Sequence, residues 1–320
     1  YAAGLALDSA GVKGNQEILG RMDMIVAAGG GERDVPVDLA ILNAYMKGNA
    51  GPAFLNERLM NDLRPTLFLT QLSNLLAGNI AIVHGVSGTS RTFMGEEAAS
   101  IDAARIALAR IESGQSDIAL VGAAHNGERT DLLILYEFGD YNLKNKFDPV
   151  WARDGHSGFA LGSAGVFLVI ESREHAEARG ARPYAKLTRV VADLAQRKQP
   201  GAVTKSWESM WSRLGKVDDS GALISGATGV EPVTSEEKAF LREHAGCPVR
   251  GTGTSFGHTM ETQFPLGLAL AALSISRGAL FPPNDPTGLE VEMSKPPSQI
   301  VVVGAGHWQG EGMALVEAIK

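Results

Sequence analysis

The chain has 320 residues, among them 38 glycines and one cysteine. That length exceeds a typical domain of roughly 100–200 residues, so it holds either two domains or one large duplicated fold. A 44% hydrophobic and 20% charged composition excludes a disordered chain. One cysteine excludes an intramolecular disulfide and a cysteine-based zinc site, and a net charge of −7 argues against nucleic acid or an anionic membrane as partner.

Taken in chain order, the sequence alternates helix and strand patterns. Residues 1–11 predict an amphipathic helix ending at Gly11, with neither the basic start nor the long apolar run of a signal peptide. The chain opens on Tyr1 rather than Met, which points to a start inside a longer protein. Residues 24–31 form an apolar run closing on glycines, as a buried strand does. Residues 67–76 are apolar at helical spacing, and 79–84 fit either a strand or a continuation of that helix. The best helix spans Ala98 to Ser113, where Ile101, Ala104, Leu108 and Ile111 share one face and Gly114 ends it. Residues 117–124 read as a strand buried on both faces, and 165–171 as another.

A charged, helix-like connector runs from Arg173 to Arg182. Strands are then predicted at 184–194, 222–226, 299–306 and 313–319. Helices are predicted at 207–214, 235–244 (capped by Ser235) and 264–277. The last of these is the most apolar run, yet it is short of the roughly 18 residues that cross a bilayer, so no membrane insertion is expected and the cytoplasm is the default location.

The sequence repeats itself internally. Ser116–His125 echoes Ser298–His307, and a glycine-terminated helix precedes each, ending at Gly114 and Gly278. Aligning those glycines sets Glu97 opposite Glu261. Duplication of an α/β unit explains the recurrence of helix and strand in one order. The boundary falls between halves 1–172 and 173–320.

The stretch from Leu75 through His84-Gly85, Gly95-Glu96-Glu97 and on to Gly122 resembles the β-ketoacyl-acyl-carrier-protein synthases, the condensing-enzyme branch of the thiolase-like family. So do Phe147-Asp148-Pro149 with Arg153-Asp154-Gly155, the run Gly158–Gly165, and Gly257-His258-Thr259 with the apolar helix after it. The resemblance covers nearly the whole chain, but the family's first strand and glycine-rich turn would precede Tyr1. It implies a thiolase-like α/β fold with duplicated βαβ halves in five layers, α-β-α-β-α. It also implies a dimer, in which Thr92 and Phe93 lie near the two-fold interface. The implied activity joins an acyl group on a catalytic cysteine to a malonyl-carrier protein with loss of CO2. No metal or organic cofactor is implied beyond the phosphopantetheine arm that the acyl carrier protein supplies.

The family's catalytic cysteine stands at the N-terminus of the central helix, where the helix dipole favours a thiolate. Counting forward from His84-Gly85 and back from Gly114 both place that position on Glu97, which cannot form a thioester. The resemblance further puts Ala227 where the first family histidine would be, and an alanine has no donor for a developing oxyanion. It puts His258 at the second histidine. Gly253 stands at the usual lysine, with Arg250 as a nearby replacement for its charge. His307 and Trp308 occupy the neighbourhood of the family's gating Phe. Glu97 and His258 are therefore the candidate catalytic positions, and Phe93, Ala227, His307 and Trp308 the candidate substrate-facing ones. Cys247 reads as a buried inert thiol. Neither the glycines at 29–31 nor the pairs Arg153-Asp154 and His156-Ser157 form a recognisable phosphate-binding or hydrolase pattern, and no metal-ligand spacing is evident.

Three functions remain open at this point. The first is a non-condensing subunit, similar to a chain-length factor, paired with itself or with an active ketosynthase. The second is an acyltransferase or malonyl-carrier-protein decarboxylase using His258, although the Glu97 charge would oppose a malonyl carboxylate. The third is a non-enzymatic module that binds acyl chains or carrier protein.

Overall fold

A computed structural model describes residues 1–319 apart from 32, 145, 154–156, 219–220 and 245. Asp154, Gly155 and His156, named above, lie outside the described residues. In the first half come α1 (Ala2–Ser9), α2 (Gln16–Leu19), β1 (Asp23–Ala27), α3 (Val35–Met46), α4 (Phe54–Asp62), α5 (Pro65–Thr70), α6 (Leu75–His84), β2 (Ser90–Phe93), α7 (Glu96–Glu112), β3 (Ile118–His125), α8 (Thr130–Phe138) and β4 (Ala164–Glu171). The second half holds α9 (Arg173–Ala178), β5 (Lys186–Asp193), α10 (Ala202–Leu214), β6 (Gly221–Ser225), α11 (Val233–His244), β7 (Val249–Gly251), α12 (Thr252–Phe256), α13 (Gln263–Arg277), β8 (Gln299–Ala305) and β9 (Glu311–Glu317).

Two sheets result. The first has the order β2-β1-β3-β4 and the second β5-β9-β8-β6-β7. In the first, β1 runs parallel to β2 and β3, and β4 is antiparallel to β3. In the second, β6 runs parallel to β7 and β8, and β9 is antiparallel to β8. The order β2-β1-β3-β4 thus recurs as β7-β6-β8-β9, with β5 added at the far edge. The internal repeat in the sequence is a repeat in space.

The helices α7 and α13 lie between the sheets: α7 packs on β1 and β3 on one side and on β5 and β9 on the other. A helix covered on both faces must be slim. Its buried positions Ala99, Ala103, Ala104 and Ala107 meet that need. On α13, Gly267 does the same: a Cβ there would sit 2.6 Å from a methyl of Val302. Outer layers are supplied by α1 and α6 on the first sheet and by α10 on the second, with α11 beside it. This is the five-layered, duplicated architecture expected above.

Several local expectations change. Residues 79–84 are helical, within α6. The central helix starts at Glu96, two residues earlier than its apolar pattern suggests, because its first two positions are charged. The helix expected from Trp207 begins at Ala202. Ser235 does not cap α11, which begins two residues before it; its amide instead donates to Glu231 Oε2 at 3.2 Å.

Candidate functional site

The site is built where α7 begins. Gly95 has φ +133° and Glu96 φ +53°, so the chain turns sharply from β2 into the helix. Gly95 adopts such a backbone freely; Glu96 does not, and holding it there costs roughly 1–2 kcal/mol. The turn aims Glu97, 1% exposed, at the junction of the two halves.

Two histidines meet it there, 2% and 5% exposed for His258 and His307. His258 Nε2 lies 2.5 Å from Glu97 Oε1, and His307 Nδ1 lies 3.0 Å from the same oxygen. The His307 amide also donates to it at 3.2 Å. Each histidine is held by its backbone. The His258 amide donates to the Ala160 carbonyl at 2.8 Å, and its carbonyl accepts from Gly162 at 2.9 Å. His307 sits in the turn joining β8 to β9, closed by a 2.8 Å bond from the Gly306 amide to the Gly310 carbonyl. Gly306 must be glycine for this turn to lie over the carboxylate, since a Cβ would fall 2.0 Å from the Gln309 carbonyl and 3.0 Å from Glu97 Oε2.

Burial alone would push the Glu97 carboxyl up, but His258 and then His307 outweigh it and hold the group well below the usual carboxylate range. Burial would likewise lower His307; the bond and charge of Glu97, helped by Glu96, raise it above its ordinary value. The geometry is that of an anion fixed between two imidazoles, with no thiol near it. Cys247 is half-buried and packs against the core of the second half instead.

Around this triad stands a ring of side chains that sequence reasoning missed. Tyr141 and Tyr136 meet the His307 ring edge-on at centroid distances of 4.6 and 5.6 Å, and Phe159 lies 4.7 Å from the His258 ring. Tyr136 donates to Glu96 Oε1 at 2.7 Å, and Trp308 Nε1 to Glu96 Oε2 at 2.9 Å. Arg197 pins the turn from behind: it donates to the Gly306 carbonyl at 2.9 Å and to Glu311 Oε1 at 2.6 Å. Tyr136, Tyr141 and Arg197 lie far from Glu97 in sequence, and no local pattern marks them.

Of the sequence candidates, Glu97, His258 and His307 converge, with Trp308 joined to them through Glu96. Phe93 ends β2 and packs against Ala27, Ala99 and Ala123 beside the helix start. Ala227 is buried in the core of the second half, its amide on Ser225 Oγ at 2.9 Å. Arg250 does not offer its charge in place of the lysine that the resemblance implies near the site. Its guanidinium is spent on the carbonyls of Phe281, Val249 and Val291 at 2.6–2.9 Å. The repeat explains one further pair: His125, which ends β3, lies 3.3 Å from Glu261, which precedes α13. Each half thus sends a strand-end histidine to the helix-start glutamate of the other.

Comparison with known proteins fits this geometry. The beta-ketoacyl synthase N-terminal domain family matches residues 2–176, more than half of the chain, and the chain belongs to that family. The 3-oxoacyl-[acyl-carrier-protein] synthase 2 of Vibrio harveyi is 27% identical over 194 residues, covering 58% of this chain and 43% of that protein. The matches span less than half the length of these curated relatives. Among solved structures, the ishigamide ketosynthase/chain length factor superposes with TM-score 0.77 at 19% identity, covering 99% of this chain and 80% of that one. A type II polyketide synthase acyl-carrier protein in complex with its ketosynthase, bound to the hexaketide, gives TM-score 0.78 at 18% identity, covering 100% and 83%. The fold is therefore the thiolase-like fold of the ketosynthases. No helix among the described residues is long and apolar enough to cross a membrane.

Proposed function

We propose that the chain is a non-condensing ketosynthase-like subunit of fatty-acid or polyketide-type elongation. It would sit beside an active, cysteine-bearing ketosynthase and shape the space for the growing acyl chain. The acyl carrier protein would deliver that chain on its own phosphopantetheine arm. One observation carries this reading: the nucleophile position is a buried glutamate locked to two histidines. A carboxylate so held offers no thiol for acylation, and its charge opposes a malonyl carboxylate beside it.

The reading of His258 as a decarboxylase residue is less well supported. Its Nε2 is taken up by Glu97 at 2.5 Å, which leaves that nitrogen no free donor for an enolate oxygen. A partner chain is favoured by the surface. The strand β2 is the edge of its sheet. Ile82, Val83, Met94 and Phe138 are 84%, 72%, 63% and 88% exposed, an apolar load that a lone chain would rather cover.

Co-purification from the native host is the direct test. An intact ketosynthase recovered in stoichiometric amount supports the proposal. Elongation of an acyl-carrier substrate by the purified chain alone would overturn it.

A further inference from the structure

We propose that Glu97, His258 and His307 form a binding site for one divalent transition-metal ion. The proposal goes beyond the subunit role and does not depend on it.

The donor set comes first. Two imidazole nitrogens and a carboxylate are a ligand combination used for zinc and its neighbours, while calcium and magnesium prefer oxygen alone. The three ligand atoms lie within 4.8 Å of one another and all three residues are buried. Ligands at about 2.0–2.2 Å from a tetrahedral zinc stand about 3.3 Å apart. Here Glu97 Oε1 is 2.5 Å from His258 Nε2 and 3.0 Å from His307 Nδ1. Opening these contacts by several tenths of an ångström makes room for an ion in place of the shared protons.

The support for the ligands comes second. They arise from three rigid places: the start of a 17-residue helix, a segment clamped between Ala160 and Gly162, and a closed turn between two strands. Ligands fixed in advance lose little entropy on binding. A second carboxylate stands near: Glu96 Oε2 lies 3.8 Å from His307 Nε2, beyond hydrogen-bond reach but close enough to act on it by charge. Glu96 is itself fixed by Tyr136 and Trp308, on a backbone held at φ +53°. Strain of that kind collects at working sites, and here it sets both carboxylates in place at once.

The test uses the full chain, stripped with a chelator and titrated with Co2+ and then Zn2+. We expect one equivalent of Co2+ per chain, with the visible absorption bands of a tetrahedral nitrogen-oxygen site, displaced by Zn2+. His307→Phe keeps an aromatic ring in the Tyr136–Tyr141–Phe159 cage and should abolish stoichiometric binding while the circular dichroism stays native. Glu96→Gln keeps the shape but removes the nearby negative charge, and should weaken binding to a smaller degree than His307→Phe. Cys247→Ser should change nothing. Absence of stoichiometric binding to the unaltered chain overturns the proposal. So does binding that survives His307→Phe, or that is lost with Cys247→Ser. Because the titration needs no partner, its failure leaves the co-purification result untouched, and the reverse holds too.

Discussion

Replacing Glu97 by alanine in the metal-free chain tests whether this residue is the keystone of the junction. The side chain accepts from the His307 amide at 3.2 Å and meets the His258 and His307 rings at 2.5 and 3.0 Å. Alanine leaves all three groups buried with nothing to bond, each at a cost of about 1–3 kcal/mol. Removing one partner from a buried ion pair costs about 3–5 kcal/mol in total. The contributions overlap, so we expect a loss of about 4 kcal/mol against a typical whole-protein stability of about 5–15 kcal/mol. Glu97→Gln keeps an acceptor oxygen and the shape, and should lose about 1–2 kcal/mol. Urea unfolding followed by circular dichroism, with a chelator present, measures both. A loss below about 1 kcal/mol for Glu97→Ala would refute the reasoning, because it would mean the two rings do not depend on the carboxylate.

Three further outcomes are expected. Glu237 is fully enclosed, and burial pushes its carboxyl up to about 8 although the Ser225 hydroxyl donates to it. A raised carboxyl holds its proton in the folded state, so its stabilising contribution is full below the unfolded value of 4.5 and is lost as pH rises towards 8. The span of about 3.5 pH units corresponds to at most about 5 kcal/mol, and Glu237→Gln should remove that slope in melts at pH 5.5, 7 and 8.5; parallel wild-type and variant profiles would count against it. Arg197→Ala strands the fully buried Glu311 and frees the Gly306 carbonyl, and should cost about 3 kcal/mol. Faster hydrogen exchange at the Gly306 amide is its local signature, and unchanged exchange would disprove the clamp. On the proposed reading, Glu97→Cys puts a thiol at the helix start while Ala227 still offers no imidazole. The expected result is a mass increase from acylation with neither CO2 release nor elongation, and measurable elongation would contradict it.

The sequence by itself determined a good deal. Periodicity located the central helix and the strands at 118–125 and 299–305, because a slim alanine-rich stripe and unbroken Val/Ile runs are dictated locally by how each element is buried. The echo of Ser116–His125 in Ser298–His307 fixed the duplication and set Glu97 opposite Glu261, since both copies must solve the same packing problem. That Glu97 falls where the resemblance puts the family's nucleophile was legible because the position is counted along one continuous helix, and the single cysteine stands elsewhere, at 247.

Tertiary structure decided what those residues do. Glu97 is joined to His258 and His307, 161 and 210 positions away, and no local pattern carries a distance of that kind. The rings of Tyr136, Tyr141 and Phe159 and the Arg197 clamp meet the two histidines and their turn only in the folded chain. Arg250, plausible as a charge near the site when read along the chain, turns its guanidinium to the backbone carbonyls of Phe281 and Val291. A sequence records which groups are available. Whether a buried carboxylate meets two imidazoles or none is settled by how the two halves dock.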